Sequence, residues 1–386
     1  RAPRRDRQWQ SAIAASACLI YLDYAATTPV LQTSLREFAN VCRGEVGNPN
    51  SIHRSGTRNN AFLQEQKKIV ADCLNCEPEQ VIFTASATES CRLAALRLLN
   101  DYREVFCSSY EHDAVYKRLP DYGKIYSKTR KKEAAFAQIH TCNETGFIYY
   151  PVNTGAWNVR FSDCTAAMGK YPLNFKSDGI DYIAGGGHKF GAPVGVGVLI
   201  AKDPESIYEL EHFATPSVAL AAAFSQALWF RTQHLAEFAE MAGRLHDRLI
   251  DGMMNEIPDA KLNGSAYEGN KSSQSPYIAN ISFPGVENTA LVLRLSSANV
   301  MASGGAACSS GDNKPSRVLL AAGYPEERAR SAVRFSFDYT LRLPMDEYQP
   351  RFGAEQEKDF AKIDEAVIFT AQCVKELKNL SAKRDN

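Results

Sequence analysis

An aspartate and a His-Lys pair follow two neighbouring β-rich runs of the sequence. Asp163 ends the run 158–163, and His188 and Lys189 come directly after the run 181–186. Because ligands of parallel sheets bind at the carboxyl ends of the strands, these three residues are candidates for one site. A lysine can bind pyridoxal phosphate covalently, and a carboxylate keeps the pyridine nitrogen protonated so that the ring accepts electrons. The spacing alone is a weak signal, since such residues are common at strand ends and are usually just solvated.

The segment SATES over 86–90 follows another β-rich run and opens a helix. The backbone N–H groups and the hydroxyl of Ala87 and Thr88 would suit a phosphate group at this helix N-terminus. An ordinary Ser/Thr N-cap explains the same residues. His112 comes shortly after the run 104–109, and its imidazole could stack on a flat cofactor ring. A histidine at such a place more often satisfies a local hydrogen bond.

Two residues of the C-terminal part are further candidates. Cys308 lies in SGGAACSSGD over 303–312, a segment of small residues that leaves a thiol room to move. As a thiolate it would be a nucleophile, and the alternative is a small buried apolar side chain. Arg334 lies in the β-rich run AVRFSF. It could hold a substrate carboxylate through two hydrogen bonds, or it could form a surface ion pair.

These candidates require a sheet that presents its strand ends together. From residue 80 onward, β-rich runs alternate with helical patterns, which predicts a mainly parallel sheet covered by helices. A long helical pattern over 216–254 is predicted to join this sheet domain to a smaller α/β domain. Between 141 and 159 there is no helical periodicity, although a parallel crossover usually contains a helix. The predicted strands of the sheet are 81–85, 104–109, 136–141, 158–163, 181–186 and 194–202, and a helix is predicted over 88–100.

The composition is that of an ordinary globular chain. The 386 residues include 44 Lys+Arg and 44 Asp+Glu, and 45% are hydrophobic, which excludes disordered, collagenous and coiled-coil classes. Because the formal net charge is zero, we expect no direct nucleic-acid binding. The longest apolar runs fall short of the roughly 20 residues that a membrane-spanning helix needs. The ten cysteines form no disulfide pattern, and Cys73 and Cys76 lack further ligands at zinc spacing, so no metal site is predicted.

The first residues, RAPRRDRQWQSAIAASA, are rich in arginine. They resemble the remnant of an organellar targeting segment, and a disordered basic tail is the alternative. We therefore expect a mitochondrial or other organellar matrix, and otherwise the cytoplasm. The predicted division is a basic tail over 1–20, a large cofactor-binding domain over 21–255 that includes the long connecting helix, and a small C-terminal domain over 256–386 that carries Cys308.

Nine motifs of the chain occur in the order and approximate spacing of one family. They are IYLDYAATTPV, GNPNSIH, FTASATES, YEHDAV, CNETG, SDCTAAMGK, HKFGAPVGVG, SGGAACSSG and VRFSF. The chain therefore resembles the cysteine desulfurases, pyridoxal-phosphate enzymes of the class V aminotransferase fold. The resemblance implies an α/β protein of aminotransferase fold type I, with a mainly parallel sheet of the seven-stranded type flanked by helices and a smaller C-terminal α/β domain.

The same resemblance implies an activity and partners. Such enzymes convert L-cysteine to L-alanine and leave a persulfide on a loop cysteine. The sulfur passes to sulfur-acceptor or scaffold proteins for iron–sulfur cluster assembly or thiolation. A homodimer, or a subunit of a larger complex, is therefore expected.

Roles follow at the matching positions. Lys189 would be joined to the cofactor, Asp163 would face the ring nitrogen, and His112 would stack on the ring and act in proton transfer. Arg334 would hold the substrate carboxylate, and Cys308 would accept the sulfur.

Five further residues would contact the cofactor. Asn143 would lie beside both cofactor and substrate. The phosphate group would be bound by Thr88 and His188, with help from Ala87 and Thr215.

Several positions depart from the family pattern, and two of them concern hydrogen bonds to the cofactor. Glutamine is usual where Ala166 stands, and serine or threonine is usual where Gly186 stands. Each lost hydrogen bond to a charged group costs on the order of 1.5–3 kcal/mol if nothing replaces it.

These losses, and the missing helix after CNETG, support an alternative: a catalytically degenerate structural subunit of a larger organellar assembly. A partner would then cover the exposed apolar sheet surface. An aminotransferase or lyase of the same fold is a third possibility, in which Cys308 has no role. The joint presence of Lys189, Asp163, His112, Cys308 and Arg334 favours the enzyme.

Overall fold

The computed structural model describes residues 19–44, 47–119, 134–149, 159–207, 215–264, 273–305, 314–339 and 354–382. Within these residues the strands are, in chain order, β1 (Ile20–Tyr21), β2 (Val81–Thr84), β3 (Glu104–Cys107), β4 (Ala134–Ala137), β5 (Val159–Asp163), β6 (Tyr182–Gly186), β7 (Gly197–Ala201), β8 (Lys261–Asn263), β9 (Ile278–Ser282), β10 (Val300–Met301) and β11 (Ala332–Ser336). The α-helices are α1 (Gln32–Arg43), α2 (Arg54–Leu74), α3 (Ala87–Asp101), α4 (Asp113–Tyr116), α5 (Val218–Gln233), α6 (Leu235–Glu256), α7 (Asn288–Ser297), α8 (Arg317–Ala321), α9 (Glu326–Arg330) and α10 (Ala354–Ala382).

The chain forms two units. The larger consists of Thr27–Phe238 and Asn270–Ser275. The smaller consists of Arg1–Ala26, Ala239–Gly269 and Pro276–Asn386. One of the boundaries between the units, Phe238/Ala239, lies within α6. The predicted domain boundaries after residues 20 and 255 stay a prediction.

The larger unit is built on a six-stranded sheet in the order β2-β7-β6-β5-β4-β3. Strands β3, β4, β5 and β6 are parallel neighbours, and β7 is antiparallel to both β6 and β2. Strands β2 to β6 therefore all run in one direction and end at one edge, which we call the carboxyl edge. The mainly parallel α/β architecture is confirmed; the seventh strand implied by the resemblance is not among the described residues.

Helices cover this sheet, and its inner strands are buried throughout. Every residue of β6 and β7 is buried, as expected for strands packed on both faces. Helix α3 packs its small and apolar residues Ala94, Ala95 and Leu98 into the same core as Ala184 of β6. Ser86 is the N-cap of this helix, and its side chain accepts from the N–H group of Glu89, as the sequence predicts.

The smaller unit contains an antiparallel sheet in the order β11-β9-β8 and a short parallel pair, β1 with β10. All residues of β9 and β11 are buried, and the aromatic residues Phe283 and Phe335 are completely enclosed. Helix α10 packs against α7. No helix within the described ranges is both long enough and apolar enough to cross a membrane.

Two predicted elements differ from the observed ones. The helical pattern over 216–254 is divided into α5 and α6 at His234, which leaves helical geometry at φ −128° and ψ 21°. Strand β4 lies at Ala134–Ala137 rather than 136–141, because Glu104 of β3 pairs with Ala134. The crossover from β4 to β5 contains no helix over the described residues 138–149, as predicted; residues 150–158 lie outside the described part.

Candidate active site

The carboxyl edge collects the predicted site residues of the larger unit. Each of the strands β2 to β6 ends there and is followed by one or two of them. They are Ala87 and Thr88 after β2, His112 after β3, Asn143 after β4, Asp163 at the end of β5, and His188 and Lys189 after β6. The sheet topology therefore places at one edge residues that are up to about a hundred positions apart in the sequence.

Asp163 is a buried carboxylate at the end of β5. It is 3% exposed and pairs with Ala184 of β6, and its Oδ1 accepts a hydrogen bond from the Thr165 N–H group at 2.9 Å. Its backbone carbonyl accepts from the His140 N–H group at 3.0 Å. Burial raises the pKa of the neighbouring Cys91 thiol well above its usual range, and the Asp163 carboxylate raises it further. Cys91 is therefore a neutral thiol beside a buried acid.

Lys189 ends a 3-10 turn, Gly187–Lys189, that directly follows β6. Its side chain is half-buried. The adjacent His188 is also half-buried, and its pKa is lowered to about 4, first by burial and then by the positive charges of Lys189 and Lys170. His188 is therefore neutral at pH 7. Lys170 is itself 4% exposed, so two lysines flank this imidazole.

The turn between β2 and α3 has the geometry of an anion site. Glu89 accepts from the Ala85 N–H group at 2.6 Å, and Ser86 accepts from the Glu89 N–H group at 3.2 Å. The N–H groups of Ala87 and Thr88, the first two of α3, have no partner within the described chain. The first N–H groups of a helix point along its axis and favour an anionic ligand.

His112 begins the short helix α4. Its Nδ1 accepts from the Ala114 N–H group at 3.2 Å, so the neutral ring carries its proton on Nε2. The preceding Glu111 is completely buried, and it accepts from the Ser108 hydroxyl at 2.8 Å and from the Ile139 N–H group. Glu111 thus ties the segment after β3 to the segment after β4, a role that the sequence analysis does not assign.

Asn143 and Thr215 occupy different surroundings. Asn143 is half-buried in a turn that is closed by the antiparallel bridge between Thr141 and Ile148. Thr215 is exposed, and its hydroxyl accepts from the Asn48 side-chain amide at 3.5 Å. It lines a cavity of about 220 Å³ together with Lys67 and other residues of α2, β2 and α5.

Arg334 belongs to the smaller unit, in β11. It is 1% exposed, and its Nη2 donates to Asp23 Oδ1 at 2.9 Å. Asp23 lies in the motif IYLDYAATTPV, and the sequence analysis gives it no role. Arg334 also exchanges two backbone hydrogen bonds with Ser303, of 3.1 and 2.7 Å, at the start of the segment that leads to Cys308. Cys308 itself lies outside the described residues.

A sequence profile of the aminotransferase class-V family matches residues 20–121, 117–212 and 205–341. The chain belongs to the class-V aminotransferase family. Within the family it is 31% identical over 367 residues to an IscS-like cysteine desulfurase of Mycobacterium tuberculosis, covering 83% of this chain and 92% of that protein. It is also 28% identical over 363 residues to the cysteine desulfurase IscS of Dictyoglomus turgidum, covering 84% and 91%. These findings confirm the resemblance to cysteine desulfurases.

A solved structure supports the same fold. The chain superposes on a NifS-like protein of Rickettsia africae with a TM-score of 0.73, at 19% identity, covering 94% of this chain and 99% of that one. At this identity the similarity concerns the fold. Class-V aminotransferases and the cysteine desulfurases among them depend on pyridoxal phosphate, which confirms the predicted cofactor.

The carboxyl edge fits the cofactor of this class-V family. Asp163 offers a buried carboxylate for a protonated ring nitrogen, Lys189 offers an amine, and Ala87 and Thr88 offer the first two N–H groups of a helix to an anionic group. The departure at Gly186 has a local cause: a Cβ atom there would lie 2.8 Å from the Ala87 Cβ. The turn between β2 and α3 therefore packs directly against β6 and leaves no room for the hydroxyl that the family usually has.

Proposed function

We propose that this chain is a pyridoxal-phosphate-dependent cysteine desulfurase. The observation that carries the proposal is the placement of Asp163 and the Lys189 turn at the ends of two adjacent parallel strands, in a chain of this family. The reaction takes the sulfur atom of L-cysteine onto a protein thiol, so that L-cysteine and a thiol become L-alanine and a persulfide. The structural-subunit alternative is not favoured, because the relatives are named cysteine desulfurases.

Residues of the carboxyl edge hold the cofactor. When bound, pyridoxal phosphate withdraws electrons from the α-carbon of an attached amino acid. Asp163 would hold the proton on the ring nitrogen, and Lys189 would provide the amine for covalent attachment. The Ala87 and Thr88 N–H groups at the N-terminus of α3 would donate to the phosphate group. Neutral His188 adds a donor or an acceptor without adding charge.

Proton and sulfur transfer use residues of different segments. His112, which carries its proton on Nε2 when neutral, is suited to pass that proton to the substrate and to take one back. Arg334 is held by Asp23 and neutralises the substrate carboxylate. Cys308 would attack the substrate sulfur as a thiolate, so that an S–S bond forms while the Cβ–S bond of the substrate breaks. The electron pair of the broken bond and a proton go to Cβ, which becomes the methyl group of L-alanine, and Cys308 keeps the sulfur as a persulfide for a protein acceptor. We also propose a homodimer, a sulfur-acceptor partner and an organellar matrix as the setting.

The experiment uses the full purified chain with added cofactor. We expect a visible absorption band that Lys189→Ala abolishes, and equal amounts of L-alanine and transferable sulfur from L-cysteine. Cys308→Ser should stop sulfur transfer and leave the absorption band intact. Cys42→Ser, which removes an exposed cysteine of α1, is the matched control and should keep full activity.

Each result has a clear meaning. Sulfur transfer that is unchanged in Cys308→Ser would remove this cysteine from the mechanism. A chain that binds no cofactor under any condition would contradict the proposed function as a whole.

A further inference from the structure

The backbone that carries Lys189 is held from outside at four consecutive carbonyl groups. The Thr28 N–H group donates to the His188 carbonyl at 2.8 Å, and the Thr28 hydroxyl donates to the Lys189 carbonyl at 2.9 Å. Arg231 Nε donates to the Phe190 carbonyl at 2.9 Å, and the Leu31 N–H group donates to the Gly191 carbonyl at 2.8 Å. None of these donors belongs to the turn itself.

Thr28 makes two of these four bonds with one residue. It is 3% exposed, and it lies 161 positions before Lys189 in the sequence. Its two donors fix the orientation of two successive peptide groups, those that follow His188 and Lys189. Thr27 adds a contact of 3.4 Å between its hydroxyl and His188 Nδ1.

The remaining two hydrogen bonds hold the carbonyl groups of Phe190 and Gly191, directly after the turn. Arg231 is completely buried in α5, and Gly191 has a φ of 100°, which favours glycine. A Cβ atom at Gly191 would also lie 2.6 Å from Leu31 Cγ. The segment 28–31 is therefore packed tightly on the end of the turn.

This arrangement matters because a lysine side chain is long and flexible. The direction of its Cα–Cβ bond, and thus the region that its amine can reach, is set by the backbone on either side. A turn that could rotate at the Lys189 peptide would spread the amine over more positions and lower the population of the one that reacts.

We propose that Thr28 is a positioning residue for Lys189: its hydroxyl holds the Lys189 carbonyl and so directs the amine toward the cofactor aldehyde. The proposal rests on the proposed function, since it concerns the lysine that attaches the cofactor. It goes beyond that function in assigning a role to Thr28 of the motif AATTP.

The test compares Thr28→Val, which removes the hydroxyl and keeps the shape, with Thr28→Ser, which keeps the hydroxyl. The matched control is Ser34→Ala, because Ser34 is also buried in the larger unit and donates to a carbonyl, that of Ala223, at 2.8 Å. Two measurements are made on purified protein without substrate. One is the Kd of pyridoxal phosphate, and the other is the fraction of Lys189 that borohydride traps as a covalent cofactor adduct.

We expect Thr28→Val to raise the Kd about three- to tenfold, the value for one hydrogen bond of ordinary strength, and to lower the trapped fraction. Thr28→Ser should retain most of both properties, and Ser34→Ala should change neither. Urea unfolding of the cofactor-free variants shows whether Thr28→Val and Ser34→Ala lose similar stability.

The outcomes separate the two proposals. If wild-type protein binds the cofactor and Thr28→Val binds and traps it equally well, Thr28 does not position Lys189. The same conclusion follows if Ser34→Ala weakens binding as much as Thr28→Val, because the effect is then one of general stability. If wild-type protein itself binds no cofactor, the proposed function fails first.

Discussion

Two histidines next to the carboxyl edge are held in the neutral state by their surroundings. His140 is 5% exposed, its Nδ1 lies 2.9 Å from the Thr141 hydroxyl, and burial lowers its pKa to about 4. His188 has its pKa lowered to about 4 as well, by burial and by two lysines. Burial deprives a charged imidazole of water at both positions, and the surrounding protein does not replace that water. Both imidazoles therefore stay neutral at neutral pH.

This neutrality predicts a loss of stability in acid. Because the unfolded chain binds the proton near pH 6.5 and the folded chain only near pH 4, the free energy of unfolding falls as the pH falls between these values. For His140 alone the shift corresponds to about 3 kcal/mol. Urea unfolding at about pH 7 and at about pH 4.5 measures it.

His140→Gln is the informative variant, because glutamine does not titrate. Its unfolding free energy should fall less than that of wild-type protein over the same interval, whatever its stability at neutral pH. An identical pH dependence of the two proteins would show that the pKa of His140 is the same in the folded and the unfolded chain.

At the scale of elements, the turn between β2 and α3 packs closely on the sheet, and this packing shapes the candidate site. A Cβ atom at Gly197 would lie 2.5 Å from the Ser86 carbonyl carbon, and one at Gly186 would lie 2.8 Å from the Ala87 Cβ. Strands β6 and β7 therefore leave no space for a side chain at the two glycines that face the start of α3. This contact explains one departure from the family pattern by geometry; nothing in the structure explains the departure at Ala166.

Because of this contact, we expect that a serine at position 186, the residue usual in the family, does not by itself improve cofactor binding. Gly186→Ser should lower the free energy of unfolding by about 1–3 kcal/mol, because the added atoms overpack the turn. It should also weaken cofactor binding. The double variant Gly186→Ser with Ala87→Gly should recover the stability and bind the cofactor more tightly than Gly186→Ser alone.

Urea unfolding and a cofactor titration of both variants check this. A Gly186→Ser protein that is as stable as wild-type protein would mean that the turn moves aside without cost. In that case the absence of a hydroxyl at this position has no steric origin.

At the scale of the whole molecule, the cofactor is expected to stabilise the fold. The residues that we propose to hold it come from all five strands that end at the carboxyl edge or from the segments after them, so an unfolded chain would offer no comparable site. A ligand that binds only the folded state adds about 2.7 kcal/mol of stability at roughly 100 times its Kd.

We therefore expect the thermal midpoint to rise continuously with the concentration of pyridoxal phosphate. Lys189→Ala should show a smaller rise, since it keeps the phosphate contacts and loses the covalent attachment. Calorimetry at several cofactor concentrations makes the measurement. A midpoint that does not depend on concentration in wild-type protein would mean that the folded and unfolded chains bind the cofactor equally.

Most strands of the larger unit could be located from the residue types of short sequence runs. Runs such as 158–163 and 181–186 combine β-branched and aromatic residues with clear ends, so β5 and β6 lie within them. Strand β4 begins two residues before its predicted start, because Ala134 and Ala135 have little local preference for a strand. Their pairing with β3 makes them part of one. The break at His234 likewise depends on packing, since the apolar periodicity continues through it.

The sequence by itself determined the family, the α/β class, the cofactor and the strand-end positions of Asp163 and Lys189, because these depend on residue types in contiguous motifs. Only the tertiary structure decided what holds those residues. Three hydrogen-bonded pairs join separate segments and cannot be predicted from local sequence preferences. They are Thr28 with Lys189, Asp23 with Arg334, and Glu111 with Ile139. Their contacts exist because the fold of each unit brings distant segments together and burial then forces each polar group to find a partner.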